Sequence, residues 1–103
     1  MPDPRLAESL RLFKEGQYFE SHDVLEELWL ETPAEDPYRD FYKGVIQAAA
    51  AFYQLKRGRT AGAMSLYRSS VKYLEGYAPL ALGLDVSKFI GEMRRVFSAP
   101  PQG

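Results

Sequence analysis

The stretch YFESHDVLEELW, Tyr18 to Trp29, sets the chain's only histidine among carboxylates. On a helix each residue advances about 100°, so with His22 at zero Glu26 falls at about +40°, Trp29 at −20°, Leu25 at −60°, Tyr18 at −40° and Phe19 at +60°. His22 and Glu26 are then one turn apart on the side that carries the large apolar residues. Asp23, at about +100°, lies between that side and Glu27, which faces solvent at about +140°. An imidazole and a carboxylate on a buried stripe cost free energy unless they are paired.

Three kinds of chemistry suit such a pair. His22 and Glu26 can ligate one divalent metal, because side chains at i and i+4 converge. A closed zinc site wants three or four protein ligands, and with no second histidine and no cysteine the remainder must come from Asp23, Glu20 or a second copy of the chain. Alternatively Glu26 holds the His22 tautomer and leaves the other ring nitrogen as a general base. The plainest reading is a core network that fixes helix register, in which removing either partner costs about 3–5 kcal/mol. Ser21 points about 100° from His22, which argues against a serine–histidine pair on this helix.

The pair needs internal partners, and the segment YRDFYKGVIQ offers them. Gln47 interrupts a long apolar run and needs a buried partner of its own. The expected cluster is His22, Glu26 and Gln47, with Trp29 beside it and Tyr42 or Arg39 at its edge. Phe41, Val45, Ala48 and Phe52 form the apolar series that carries it.

Helical periodicity dominates the elements that must hold these residues, and no alternating strand pattern is present. A first helix is expected over 4–15, with Asp3 as cap, Pro4 at its first position and Leu6, Leu10 and Phe13 on one side. A second covers 18–31. The third runs over 37–57, capped by Asp36, and the fourth over 60–77 from a capping Thr60. The fifth spans 86–97 behind Asp85, and the tail from 98 to 103 is expected to be mobile. FKEGQYFESHDVLEELW from Phe13 and LKRGRTAGAMSLYRSSV from Leu55 align at an offset of 42 residues. Each reads as helix, glycine, helix, the hairpin of helical repeats. Two copies are too few for a solenoid, so an all-α single domain of about five helices, a compact bundle of antiparallel hairpins, is expected. Gly44 and Ala48 to Ala51, with Ala61, Gly62 and Ala63, supply small residues for close packing or for self-association.

Composition narrows the function classes. Thirteen bases and fourteen acids nearly cancel, which argues against a chain built to coat nucleic acid. The absence of cysteine excludes disulfides, thiolate metal sites and cysteine nucleophiles. The N-terminus lacks a signal-peptide pattern and VIQAAAAF is too short to span a bilayer, so a cytoplasmic protein without membrane contact is expected. No glycine-rich phosphate loop, dinucleotide fingerprint or nucleophile elbow occurs.

Charge is unevenly placed. Seven acids and no base lie between Glu20 and Asp36, whereas seven bases and the single acid Asp40 lie between Arg39 and Lys72. Arg57 and Arg59 flank Gly58 at a helix junction, where the fourth helix's N-terminus could receive an anion. The basic region from Lys56 to Lys72 is therefore a candidate for an anionic ligand or nucleic acid. Seven tyrosines and six phenylalanines exceed what so small a core can hide. That excess points to a self-associating scaffold, a homo-oligomer or a binder of another protein.

The segments FKEGQYFESHDVLEELW, YRDFYKGVIQAAAAFYQLKRG and GAMSLYRSSVKYL resemble a small all-helical bacterial and archaeal family known as domain of unknown function 309. Its hallmark is histidine, three residues, glutamate, two residues and an aromatic, here His22, Glu26 and Trp29. The resemblance implies a compact helical bundle, and the motif has been suggested to bind metal. Asp23 departs from the glutamate usual directly after the histidine, a shorter carboxylate in a position that could ligate. Together these readings give a self-associating scaffold with a His–Glu polar cluster. The alternatives are a divalent-metal or acid–base site at His22 and Glu26, and anion binding at Arg57 and Arg59.

Overall fold

The computed structural model describes residues 3–98. Five helices follow one another, α1 (Pro4–Lys14), α2 (Tyr18–Glu31), α3 (Arg39–Lys56), α4 (Thr60–Leu74) and α5 (Val86–Phe97). The first four pack each on the next, α3 against α4 most extensively. This is the expected bundle of helical hairpins. Residues 99–103, most of the tail expected to be mobile, lie outside the described residues.

Side chains cap two of the five helices. Asp3 Oδ1 accepts the Arg5 N–H at 2.9 Å, and Asp85 Oδ1 accepts the Lys88 N–H at 3.0 Å, so both aspartates start helices as expected. Asp36 does not cap α3. Its Oδ1 accepts the Tyr38 N–H at 2.8 Å within the preceding turn, and the helix begins only at Arg39. Thr60 is likewise the first residue of α4 and not its cap, a position taken by Arg59. The end of the expected fourth helix, Glu75–Tyr77, tightens into a 3-10 turn.

A small hairpin was not expected. Strands β1 (Leu80–Ala81) and β2 (Leu84–Asp85) pair antiparallel, with Leu80 opposite Asp85. Leu82 and Gly83 between them have φ of 48° and 84°, the left-handed pair that a two-residue hairpin turn demands. Strands of two residues leave no alternation for a sequence pattern to reveal.

The two glycine junctions are alike. Gly16 and Gly58 have φ of 79° and 78°. In each, the next residue's N–H returns to a carbonyl five positions back, Gln17 to Leu12 and Arg59 to Gln54, both at 2.9 Å. The buried positions repeat as well. Ser21, Leu25 and Leu28 of α2 correspond at the same offset to Ala63, Tyr67 and Ser70 of α4, and Leu6 and Ser9 of α1 to Ala48 and Ala51 of α3. The bundle is thus two like hairpins with α5 laid against α4.

Phe41, Leu25, Leu74, Met93, Val45 and Val86 fill the core completely out of water. At Gly44 α4 packs directly on the backbone of α3. A Cβ there would sit 2.7 Å from both Cγ and Cδ2 of Leu74, and Ser70 Oγ donates to the Gly44 carbonyl at 2.6 Å. Ala61 and Gly62, expected in the same packing, are exposed because the buried register of α4 begins only at Ala63. No helix among the described residues is long and apolar enough to cross a membrane.

Candidate functional site

Helix α2 presents its residues differently from the sequence expectation. The buried arc is Ser21, Leu25 and Leu28, centred about 90° from His22. His22 and Glu26 are therefore on the rim and not on the buried stripe, with side chains 29% and 43% exposed. Phe19, which drew the apolar face outward, is 50% exposed.

On that rim the histidine is flanked by two carboxylates. His22 Nδ1 lies 3.4 Å from Asp23 Oδ1, and Nε2 lies 3.8 Å from Glu26 Oε2. One ligand atom from each of the three residues falls within 4.8 Å of the others. The acids approach opposite ring nitrogens, and neither approach is a directed hydrogen bond in this arrangement.

The floor beside His22 comes from α3. Phe19, His22, Ala50, Tyr53 and Gln54 line a shallow pocket of about 200 Å³. The Phe19 ring is 6.5 Å from the imidazole and 5.5 Å from the Tyr53 ring. Gln54 Oε1 is buried without a hydrogen-bond partner. The sequence reading did not single out Gln54 or Tyr53. The antiparallel pairing of α2 and α3, which brings residue 22 against 50–54, was the missing signal.

The expected partners of His22 are elsewhere or unengaged. Gln47 Oε1 is buried without a hydrogen bond, to His22, Glu26 or any other described residue. Tyr42 belongs to the core, where burial, aided by the charges of Asp36 and Asp3, pushes its phenol pKa up. Trp29 lies one turn beyond Glu26, with the Arg39 guanidinium 4.2 Å and the Lys43 ammonium 4.3 Å from its ring centroid. Arg39 Nε also donates to the Thr32 carbonyl at 3.0 Å, and Trp29 Nε1 is buried without an acceptor.

Of the basic junction, Lys56 and Arg57 line a shallow hollow with Gly16 to Glu20 and Tyr53, and Arg59 is not part of that lining. Arg57 Nη1 donates to Tyr53 Oη at 3.1 Å, and Arg59 is exposed beyond Gly58 with no capping bond. Ser21 is committed elsewhere too, to Ser9 across the α1–α2 interface. A larger hollow of about 540 Å³, lined by Phe13, Tyr18, Phe89, Lys14, Lys88 and Glu92 among others, contains no histidine.

Electrostatics at the far end of α2 are simpler. The Arg5 guanidinium meets Glu31 at 2.8 and 3.0 Å and Asp3 at 3.0 Å. Hydrogen bonding to Glu31, then to Asp3, raises the arginine pKa further, and both carboxylates are held below their ordinary range by Arg5. This clamp ties the start of α1 to the end of α2 and leaves the His22 end free of it.

Comparison with known proteins places the chain in a family. The chain is 40% identical over 82 residues to the uncharacterized protein YpuF of Bacillus subtilis strain 168, across 78% of this chain. It spans about half of that relative's length, 47%. The model of the family described as domain of unknown function (DUF309) matches residues 6–66, from the first buried leucine of α1 into α4. The match covers α2 and α3 whole and with them the His22 rim, and the chain belongs to that family.

Proposed function

We propose that His22, Asp23 and Glu26 form a divalent-cation site on the outer edge of α2. The observation that carries this reading is the approach of one nitrogen and two carboxylate oxygens to within 4.8 Å of one another on a solvent-reached rim. The donor set fits such an ion. An imidazole with carboxylates suits zinc, manganese or iron, and it is too poor in protein ligands to be a closed structural site. His22 and Glu26 would be the ligands, and Asp23 would hold the imidazole through Nδ1 or add a third oxygen. A cation bound there supplies Lewis acidity to a water or to an anionic oxygen. Half-exposure supports this use, because a purely structural pair gains little at a wet surface.

Elemental mass spectrometry on tag-free protein, dialysed against each metal, tests the reading. Near-stoichiometric metal in the wild type that disappears in both His22→Ala and Glu26→Ala is expected. A wild type that retains none of the metals overturns it.

A second reading, a self-associating scaffold, rests on α2 as well. Phe19 and Leu30 are 50% and 68% exposed. Eleven residues apart, they share one helix face about 16 Å apart along the axis. Sedimentation equilibrium of the wild type beside Phe19→Ser with Leu30→Ser tests it. A dimer lost in the double variant is expected, and a monomeric wild type at high concentration excludes it.

A further inference from the structure

The hollow of about 540 Å³ lies away from the cation rim, where α1, the start of α2, the β1–β2 hairpin and α5 meet. The Phe13 ring centroid is 5.2 Å from those of Tyr18 and Phe89, so aromatics from three helices make one continuous wall, with Leu84 of β2 in the same lining. Phe89 is buried, and Phe13, Tyr18 and Leu84 are half-buried. A hollow of this size, with an aromatic wall and a few charged groups, has the make-up of a small-molecule site. Residues from Gly83 to Glu92 supply more than half of its lining and lie beyond those that the family model matches.

Charges of both signs stand at its rim. Lys14, Asp85, Lys88 and Glu92 line the same hollow and are exposed, two bases and two acids that leave the lining without net charge. Among the described residues none of the four is in an ion pair, although Lys88 and Glu92 are one turn apart on α5. Asp85 is partly used, since its Oδ1 accepts the Lys88 N–H. Lys88 itself stands in the first turn of α5, where the helix dipole disfavours a cation and favours an anion beside it.

We propose that this hollow takes a free α-amino acid with an apolar side chain. The balance of charge selects the class. An anion held by Lys14 and Lys88 would face Asp85 and Glu92, and a cation held by the acids would face two lysines. A ligand with a carboxylate and an ammonium on one carbon suits both, its carboxylate toward the lysines and its ammonium toward Glu92. A residue inside a peptide chain carries neither charge, and a chain terminus carries only one. The aromatic wall supplies the rest, because an apolar side chain laid on Phe13 and Phe89 leaves water while the charged end stays at the rim. The hollow shares no residue with His22, Asp23 and Glu26, so this reading does not rest on the cation site.

Nitrogen-15 spectra of the full chain follow the amides of Gly83, Lys88 and Phe89 while L-phenylalanine or L-leucine is added. Both should move these resonances saturably. Three simpler compounds each remove one part of the ligand: 3-phenylpropionate lacks the ammonium, phenethylamine the carboxylate, and free glycine the apolar body. Each should bind about tenfold more weakly than phenylalanine, the cost of one lost charge-assisted contact or of the wall. Glu92→Gln should bring phenylalanine down to the affinity of 3-phenylpropionate, and Lys88→Gln should weaken it by a similar factor. Both side chains are exposed, and unchanged resonances away from the hollow show that the variants fold. His22→Ala, which removes the cation site, should bind phenylalanine as the wild type does. Amides that respond to neither amino acid overturn the proposal. So does 3-phenylpropionate or phenethylamine binding as tightly as phenylalanine, or phenylalanine binding that is unchanged in both Glu92→Gln and Lys88→Gln. Metal binding at His22 without amino-acid binding removes this proposal alone, and the converse removes the cation reading alone.

Discussion

Ser9 Oγ donates to the Ser21 carbonyl at 2.9 Å, and Ser21 Oγ donates to the Ser9 carbonyl at 2.8 Å. Both residues are out of water, and with each hydroxyl proton so committed the 3.0 Å approach of the two oxygens is a contact and not a third bond. The exchange pins α2 to α1 at the residue preceding His22. It also lets two polar side chains occupy the positions that Ala51 and Ala63 fill in the second hairpin.

Truncating one serine should therefore cost more than half of truncating both. Ser9→Ala or Ser21→Ala is expected to lose about 1–2 kcal/mol, because each removes one hydroxyl-to-carbonyl bond from a buried carbonyl and loosens the helix contact that the other bond also needs. The double variant, whose alanines copy the second hairpin, should fall short of the sum by about 0.5–1 kcal/mol. Urea unfolding of the four proteins measures the coupling, and simple additivity would contradict it.

Breaking the His22–Glu26 pair should barely touch stability. With both side chains on the rim, His22→Ala and Glu26→Ala are expected to lose less than about 1 kcal/mol each. The loss of about 3–5 kcal/mol appropriate to a buried pair does not apply. Thermal unfolding without added metal reads this directly. With metal present, the wild type alone should gain stability in proportion to its occupancy.

Gly44→Ala should be among the most damaging single-methyl changes in the chain. The added carbon meets the branch of the fully buried Leu74 at 2.7 Å and Tyr73 Cβ at 3.1 Å. Moving α4 outward would also stretch the Ser70 bond to the Gly44 carbonyl. A loss of about 1–3 kcal/mol is expected from overpacking. In a Leu74→Ala background, which itself loses about 2–5 kcal/mol, Gly44→Ala should cost less than it does in the wild type, as chemical denaturation of the four proteins would show.

Acid should loosen the α1–α2 clamp. Asp3 and Glu31 have pKa values lowered by Arg5, so their contribution is present above the unfolded carboxylate range and is lost as pH falls through the folded values. The wild type should lose stability more steeply than Arg5→Ala on acidification below the ordinary carboxylate range, and the difference should shrink in high salt because the groups are exposed. Melting temperatures across that range at two salt concentrations provide the comparison. Parallel acid profiles would show that the clamp contributes nothing.

Helix existence was readable from periodicity, capping and glycine, and α2 and α5 begin and end where expected. The repeat was readable too, because Gly16 and Gly58 end helices in one geometry that only a left-handed residue adopts easily. The orientation of α2 was not. Phe19 and Leu30 are large and apolar yet exposed, so they shift the apparent apolar face toward His22, while the buried Ser21 reads as polar. Ser21 is satisfied by a serine twelve positions away, which no local pattern discloses. The α2–α3 seam was half legible: Gln47 stood out as a polar residue in an apolar run, but Gln54, Tyr53 and the stacking of Arg39 and Lys43 on Trp29 follow from helix pairing alone.

The two like hairpins bear on how the chain reaches this structure. Each helix of the first four finds its main neighbour immediately before or after it in sequence, so few contacts require distant segments to meet. Low contact order of this kind belongs to proteins that fold in microseconds to milliseconds. Each hairpin can close on its own glycine turn, whereas α5 reaches both, with the Phe89 ring 5.2 Å from that of Phe13 of α1 and the Phe97 ring 5.2 Å from that of Phe52 of α3, so its contacts are the ones that span the chain.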